Sequence, residues 1–127
     1  MLITVAICTL NRAESLRRTL ESLAAMRVPG ELDWELVIIN NASTDHTDDV
    51  IKTFAGRLPI QREFEPQHGH SRARNHAVDI AKGDYIVWTD DDVIVDPRDL
   101  VGADTAQTNW FADTRSLQYA IWSGTEM

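Results

Sequence analysis

Apolar and polar positions along the chain fall into short alternating blocks. The first apolar block, "LITVAIC" at residues 2 to 8, is rich in β-branched residues and has almost no polar interruption. That is the pattern of a strand buried on both faces, and it predicts a central parallel strand. In "TLNRAESLRRTLESLAAM" the apolar residues recur at helical spacing, with Leu16, Leu20 and Leu23 on one face. The spacing predicts a helix over 12–26, with Asn11 as its N-cap and Glu14 three residues on. A return loop, "VPGELD", leads to a second strand, "WELVIIN" at 34–40, which ends in a continuous apolar run. The cap-forming stretch "NASTDHTDD" then opens a second helix.

Polarity alternates in "IQREF" at 60–64, which predicts a more exposed strand. The loop "EPQHGH" follows, then "SRARNHAVDIAK", a helix that turns Ala73, Ala77, Ile80 and Ala81 inward, with Gly83 as its C′ residue. A fourth strand, "DYIVWT" at 84–89, runs into Asp90, Asp91 and Asp92. Strand and helix thus alternate throughout, which predicts an α/β, Rossmann-like fold: a mainly parallel sheet with right-handed crossovers and helices on both faces. Ligands of such sheets bind at the carboxyl ends of the strands. The polar segments after strands one, two and four are therefore expected on one rim.

Length and composition narrow the class. At 127 residues, 43% hydrophobic and 25% charged, the chain is expected to form one globular domain over 1–127. No run approaches the ~20 apolar residues of a membrane span. The amino terminus carries neither a basic leader region nor a cleavage site. The single cysteine, Cys8, excludes an intrachain disulfide and a multi-cysteine metal site. These features point to the cytoplasm, with membrane association left to segments outside this chain. A formal net charge of −8 argues against nucleic acid as a partner. Any anionic ligand would need a metal or locally placed basic residues.

Candidate chemistry lies in four segments. Adjacent carboxylates at Asp90, Asp91 and Asp92 raise one another's pKa unless a cation neutralises them. Mg²⁺ or Mn²⁺ does this with one or two protein carboxylates, leaving its other positions to water and phosphate oxygens. Along an extended chain Asp90 and Asp92 share a face and Asp91 faces away. Taken alone, a solvated acidic turn before Asp96 and Pro97 accounts for the triplet equally well, but its place on the rim favours metal. In "NNASTD", Ser43, Thr44 and Asp45 are explained as helix caps. Asn40 is either a strand-end turn amide or a reader of a nucleobase edge.

"HGHSRARNH" gathers His68, His70, Arg72, Arg74 and His76 at a helix start, where a diphosphate can be held. Arg72 is better explained as a surface partner of Asp79 or Glu65, and the histidine spacing does not match helical zinc motifs. In "TLNR", Thr9 and Asn11 can reach a ligand at the end of the first strand. Asn11 is equally well a cap, while Arg12 is free to face a phosphate or base.

In their order, "VAICTLNRAESLRRTLESL", "ELVIINNASTD" and "GHSRARNHAVDIAKGDYIVWTDDDV" resemble the nucleotide-sugar-binding N-terminal half of the family 2 glycosyltransferases, which have the GT-A fold. The resemblance covers roughly residues 1–100. It implies sugar transfer from a nucleoside diphosphate donor, usually UDP-linked, to an acceptor hydroxyl on a glycan, lipid or protein. The anomeric centre would be inverted, and Mn²⁺ or Mg²⁺ would bridge the diphosphate to an Asp-x-Asp motif. By this matching, Thr9, Asn11 and Arg12 contact the nucleoside and Asn40 the base. Ser71, Arg74 and Asn75 border the nucleotide, Asp90 lies near the ribose with Asp91 beside it, and Asp92, with Asp90, holds the metal.

Two departures stand out. The family most often has Asp where this chain has Asn40. The family's catalytic base, a carboxylate well beyond the metal motif, has no matched counterpart among Asp104, Asp113 and Glu126. The tail over 101–127 shows no clear strand, and the expectation is a truncated or frame-altered chain after about residue 100. Without its acceptor half such a chain would be a non-catalytic nucleotide- and metal-binding module. Its apolar residues Trp110, Phe111, Tyr119, Ile121 and Trp122 would be covered by a second copy, making a homo-oligomer, or by improvised packing.

Overall fold

The computed structural model describes residues 2–26 and 33–94, together with the backbone of 117–122. Strand and helix alternate as the apolar blocks predict: β1 (Leu2–Thr9), α1 (Ala13–Ala24), β2 (Asp33–Asn40), α2 (Thr47–Thr53), β3 (Ile60–Phe64), α3 (His70–Ile80), β4 (Tyr85–Thr89) and β5 (Leu117–Trp122). The sheet order is β3-β2-β1-β4-β5. The first four strands run parallel. Chain order reverses between β1 and β4, so the switch point where such sheets bind ligands lies at the ends of these two strands.

The central strands read as unbroken apolar runs because both of their faces are covered. Val5, Ile7, Leu36, Ile38 and Val87 pack against Leu16, Leu20 and Leu23 of α1 and Val50 and Ile51 of α2. On the opposite face, Ala6, Val37, Ile39, Ile86 and Trp88 pack against Ala73 and Ala77 of α3. The alternation of side chains along β1 and β2 thus feeds two cores. Edge strand β3 has no fully buried residue, in keeping with its alternating polarity.

Two expectations are corrected here. Gly83 does not close α3 as a left-handed C′ residue, since the helix ends at Ala81 in an extended conformation (φ −63°, ψ 134°). Glycine is needed there because a Cβ would meet the backbone nitrogen and hydroxyl oxygen of Thr4, each at 2.6 Å. At this end of the sheet Thr4 Oγ1 donates to Glu35 Oε2 (2.6 Å) and accepts from Gly83 N (2.9 Å), and Lys82 N donates to the same Glu35 oxygen (2.7 Å).

The tail, expected to lack a strand, supplies β5, which pairs antiparallel with β4 from Thr89↔Leu117 to Tyr85↔Trp122, with an irregularity at Trp88/Thr89. The segment "LQYAIW" carries strand-forming residues with partial alternation, and an antiparallel partner needs no preceding helix to bring it alongside. Trp110, Phe111, Asp104, Asp113, Glu126, Asp96 and Pro97 lie outside the described residues.

Candidate active-site cleft

The turn after β1 is shaped by Asn11, one of two non-glycine residues with positive φ among those described (φ 53°; Ala42 is the other). Its side chain is not the cap of α1; the capping position belongs to Arg12, whose side chain makes no capping bond. Asn11 reaches across the rim instead. Its Oδ1 accepts from the backbone N–H of Thr44 (2.7 Å) and Asp45 (3.2 Å), while its own N–H donates to Ser43 Oγ (2.9 Å). Asp45 does the capping for both helices, accepting from Ala13 N (3.3 Å) and from Thr47 N (3.0 Å). Burial opposes the charge on Asp45, but the Thr47 and Ala13 bonds outweigh it and hold its pKa below the ordinary aspartate value.

Adjacent asparagines at the end of β2 have different tasks. Asn40 is 2% exposed; its Nδ2 donates to Asp48 Oδ1 (2.8 Å) and its Oδ1 accepts from Ser43 N (2.9 Å), so both ends of the amide are engaged beneath the rim. Asn41 lines the cleft and ties β2 to the loop entering α3. Its Nδ2 donates to Gln67 O (2.8 Å) and Glu65 O (3.3 Å), and its Oδ1 accepts from Gly69 N (3.1 Å). Gly69, at φ 142°, holds a conformation that L side chains rarely adopt.

Asp48 anchors Asn40 from below and is itself gripped by Arg62, through Nε (3.0 Å) and Nη2. Burial raises its pKa, yet the hydrogen bonds from Arg62 and Asn40 prevail and hold it below the ordinary aspartate value. A depressed folded pKa contributes stability above the unfolded pKa that is lost as pH falls through the folded one. Asp48→Asn is accordingly expected to lower the urea midpoint at neutral pH, with the difference from the parent protein closing below the ordinary aspartate pKa. A difference that stays constant down to the acid-unfolding limit would refute this assignment.

The three aspartates follow β4. All of them line one open cleft of about 520 Å³, together with Thr9 and Arg12 from the β1 side and His70 from the start of α3. Asp90 and Asp92 are exposed and Asp91 is 7% exposed, in a turn rather than a continued strand. Arg12 Nη1 stands 3.1 Å from Asp92 Oδ2 and 3.5 Å from Asp91 Oδ1. The Arg12 guanidinium, expected to be free to face a phosphate or base, is thus paired with carboxylates. Burial pushes the Asp91 carboxyl above the ordinary aspartate value, against the lowering effect of the nearby Thr9 hydroxyl and of Arg12.

Thr9 Oγ1 itself is buried and makes no hydrogen bond of ordinary geometry. The chain beyond the turn is fixed by Thr19 of α1, whose Oγ1 donates to Val93 O (2.7 Å) and accepts from Val93 N (3.1 Å). Cys8, also on the cleft wall, has its thiol pushed up to about 11, by burial above all, so it stays protonated at neutral pH.

The residues of α3 divide between two sides. Arg74 lies over the Trp88 ring, 4.1 Å from its centroid. Ser71 is exposed on the first turn. Asn75 lines a second cleft with Glu65, Arg72, His76 and Asp79. His76 stands between Glu65 (3.1 Å) and Glu63 (3.5 Å), and His68 Nε2 is 3.2 Å from Ala42 O. Sequence reasoning missed Asn41 and Gly69 as cleft residues, and of the basic cluster His70 is the member that lines the cleft. For Gly69, its position before a helix start was an available signal.

A hard divalent cation suits this donor set. Among the described residues no three His, Cys, Asp or Glu side chains form a closed metal cage. Mg²⁺ and Mn²⁺ sites, however, use one or two carboxylates and leave positions to water and substrate. Asp90, Asp91 and Asp92 line the cleft together, with Arg12 paired to the last two, and this oxygen-rich acidic setting suits such an ion.

An open, mainly parallel sheet with an acidic cleft at its switch point is the GT-A arrangement, and solved structures of that type superpose on this chain. S. aureus TarS 1-349, in complex with UDP-GlcNAc, matches at TM-score 0.76 and 24% identity, covering 82% of this chain and 30% of that one. The mannosyltransferase PcManGT from Pyrobaculum calidifontis, in complex with GDP-Man and Mn²⁺, matches at TM-score 0.73 and 28% identity, covering 87% of this chain and 32% of that one. Residues 4–102 match the family described as Glycosyl transferase family 2, and the chain belongs to that family. Validoxylamine A glucosyltransferase of Streptomyces hygroscopicus subsp. jinggangensis (strain 5008) is 35% identical over 99 residues, which is 76% of this chain and 23% of that protein. The chain therefore spans under a quarter of that relative's length. No helix among the described residues is long and apolar enough to cross a membrane.

Proposed function

We propose that the cleft binds a nucleoside diphosphate sugar, UDP-linked, with Mn²⁺ or Mg²⁺, for transfer of the sugar to an acceptor hydroxyl with inversion. The observation that carries this reading is the convergence of Thr9, Arg12 and the Asp90–Asp92 turn with the start of α3 on one cleft at the switch point. Family membership supports sugar transfer in general, and the family's usual donors favour UDP.

Asp92, with Asp90, would hold the cation, which when bound supplies positive charge to the departing diphosphate. Asp90 also faces the ribose, with Asp91 beneath it. Thr9 would meet the nucleotide from the β1 wall of the cleft, and Arg12 would offer it its guanidinium. Ser71 and Arg74 border it from α3, and Asn75 stands on the adjoining side of that helix. Asn11 and Asn40 act by holding the walls, since their side chains are occupied with the loops after β1 and β2.

Calorimetry with UDP, with and without Mn²⁺, tests the reading. Asp92→Ala is expected to weaken Mn²⁺-dependent UDP binding by roughly 10-fold or more while the metal-independent part stays. Unchanged Mn²⁺-dependent affinity would sink the metal assignment. Donor hydrolysis and transfer assays over an acceptor panel then separate a transferase from a module that binds without turnover.

A further inference from the structure

Arg12 and Asp92 line two clefts at once: the one of about 520 Å³ described above, and a second of about 430 Å³ bounded by the first turn of α1 together with Asp45 and His46. Their ion pair therefore stands as a partition between the two. The Arg12 side chain is 55% exposed, and Nη1 is shared between Asp92 Oδ2 at 3.1 Å and Asp91 Oδ1 at 3.5 Å. Its backbone is held at the start of α1, where Leu16 N donates to Arg12 O (2.8 Å), so only the side chain has room to move. We propose that Arg12 is an internal counter-ion that occupies the carboxylates of the metal-binding turn and is displaced from them when a divalent cation binds.

The consequence is a coupling between the two ligands. Without a cation, Arg12 is neutralised by Asp91 and Asp92 and offers little to an anion. A cation that takes those oxygens releases the guanidinium at the mouth of the cleft, where a diphosphate is its next available partner. By linkage, the nucleotide must then favour the cation by the same factor. Arg12 thus couples the two ligands in an ordered assembly of the site, and this inference rests on the nucleotide-sugar reading above.

The test compares the full chain with Arg12→Gln and Arg12→Lys. Free Mn²⁺ is followed by electron paramagnetic resonance, and UDP binding by calorimetry with and without Mn²⁺. Removing the competing cation is expected to tighten binding of Mn²⁺ alone about 5- to 10-fold in Arg12→Gln, and to shrink the factor by which Mn²⁺ improves UDP affinity. Arg12→Lys, which keeps the charge without the two-pronged geometry, should fall between. Circular dichroism melts of both variants check that the fold is kept.

Mn²⁺ affinity that is unchanged or weaker in Arg12→Gln overturns the proposal, as does a parent protein and variant that both ignore Mn²⁺. If Mn²⁺ binds more tightly to the variant while UDP binds neither protein, the counter-ion role stands and the nucleotide-sugar reading fails.

Discussion

Gly83→Ala is expected to cost about 3 kcal/mol of folding stability, the upper end of the range for overpacking. The added Cβ would meet Thr4 N and Thr4 Oγ1 at 2.6 Å and Tyr85 O at 2.9 Å. Two of these are backbone atoms in paired strands, and the third belongs to a buried hydroxyl already committed to Glu35 and Gly83. None is the free end of a flexible side chain. Relief would require β1 and the entry to β4 to separate, breaking the bond from Asp84 N to Leu2 O (2.7 Å). Gly56→Ala is the matched control, since a Cβ there meets nothing within 4 Å; it should be neutral to slightly stabilising. Urea unfolding measures both. A Gly83→Ala loss below about 1 kcal/mol would mean that the close approach is readily relieved.

Asn11→Ala carries the second large effect, because that residue combines two demands. Its backbone is left-handed at φ 53°, a conformation costing roughly 1 kcal/mol for alanine. Its side-chain oxygen is the acceptor for Thr44 N and Asp45 N. These bonds are exposed, so water replaces them in part and each is worth about 0.5 kcal/mol, the lower end of the usual range. The sum is a loss of about 2 kcal/mol.

Asn11→Gly separates the two shares, recovering the backbone part and not the bonds. Because Asn11 fastens the loop after β1 to the loop after β2, both variants should also weaken nucleotide binding. Equal stabilities of the alanine and glycine variants would remove the backbone argument. Undiminished nucleotide affinity in both would remove the fastening argument.

Much of this fold was legible from the chain. β1, β2 and β4 announced themselves because burial on two faces leaves no room for polar residues, and α1 because Leu16, Leu20 and Leu23 share one face. β5 escaped because an antiparallel partner strand needs no helix before it, so the strand-helix rhythm gives no notice of it. Thr9, Arg12 and the aspartates could be expected on one rim because they lie at, or shortly after, the ends of apolar strands, and they do line one cleft. What could not be read was which partner each polar side chain would choose.

Asn11 fits a cap by its spacing, yet it bonds to residues more than thirty positions away. Asn40 and Asn41 are the same residue type and both are buried, yet Asn40 bonds to Asp48 beneath the rim while Asn41 bonds to the loop entering α3 and lines the cleft. Gly83 shows the same limit. Its glycine was expected from helix-end chemistry, whereas the need comes from a neighbouring strand.

The pairing of β5 with β4 has a topological consequence. β4 climbs toward the cleft and ends at Thr89; β5 begins opposite that residue, at Leu117, and descends. Both anchor points of the connecting chain thus stand on the rim, fixed there by sheet pairing. For a tether whose ends are already held, doubling the contour adds only about 0.6 kcal/mol of closure cost. Length in that connection is consequently the dimension along which the sheet can stay constant while the neighbourhood of its ligand cleft is rebuilt.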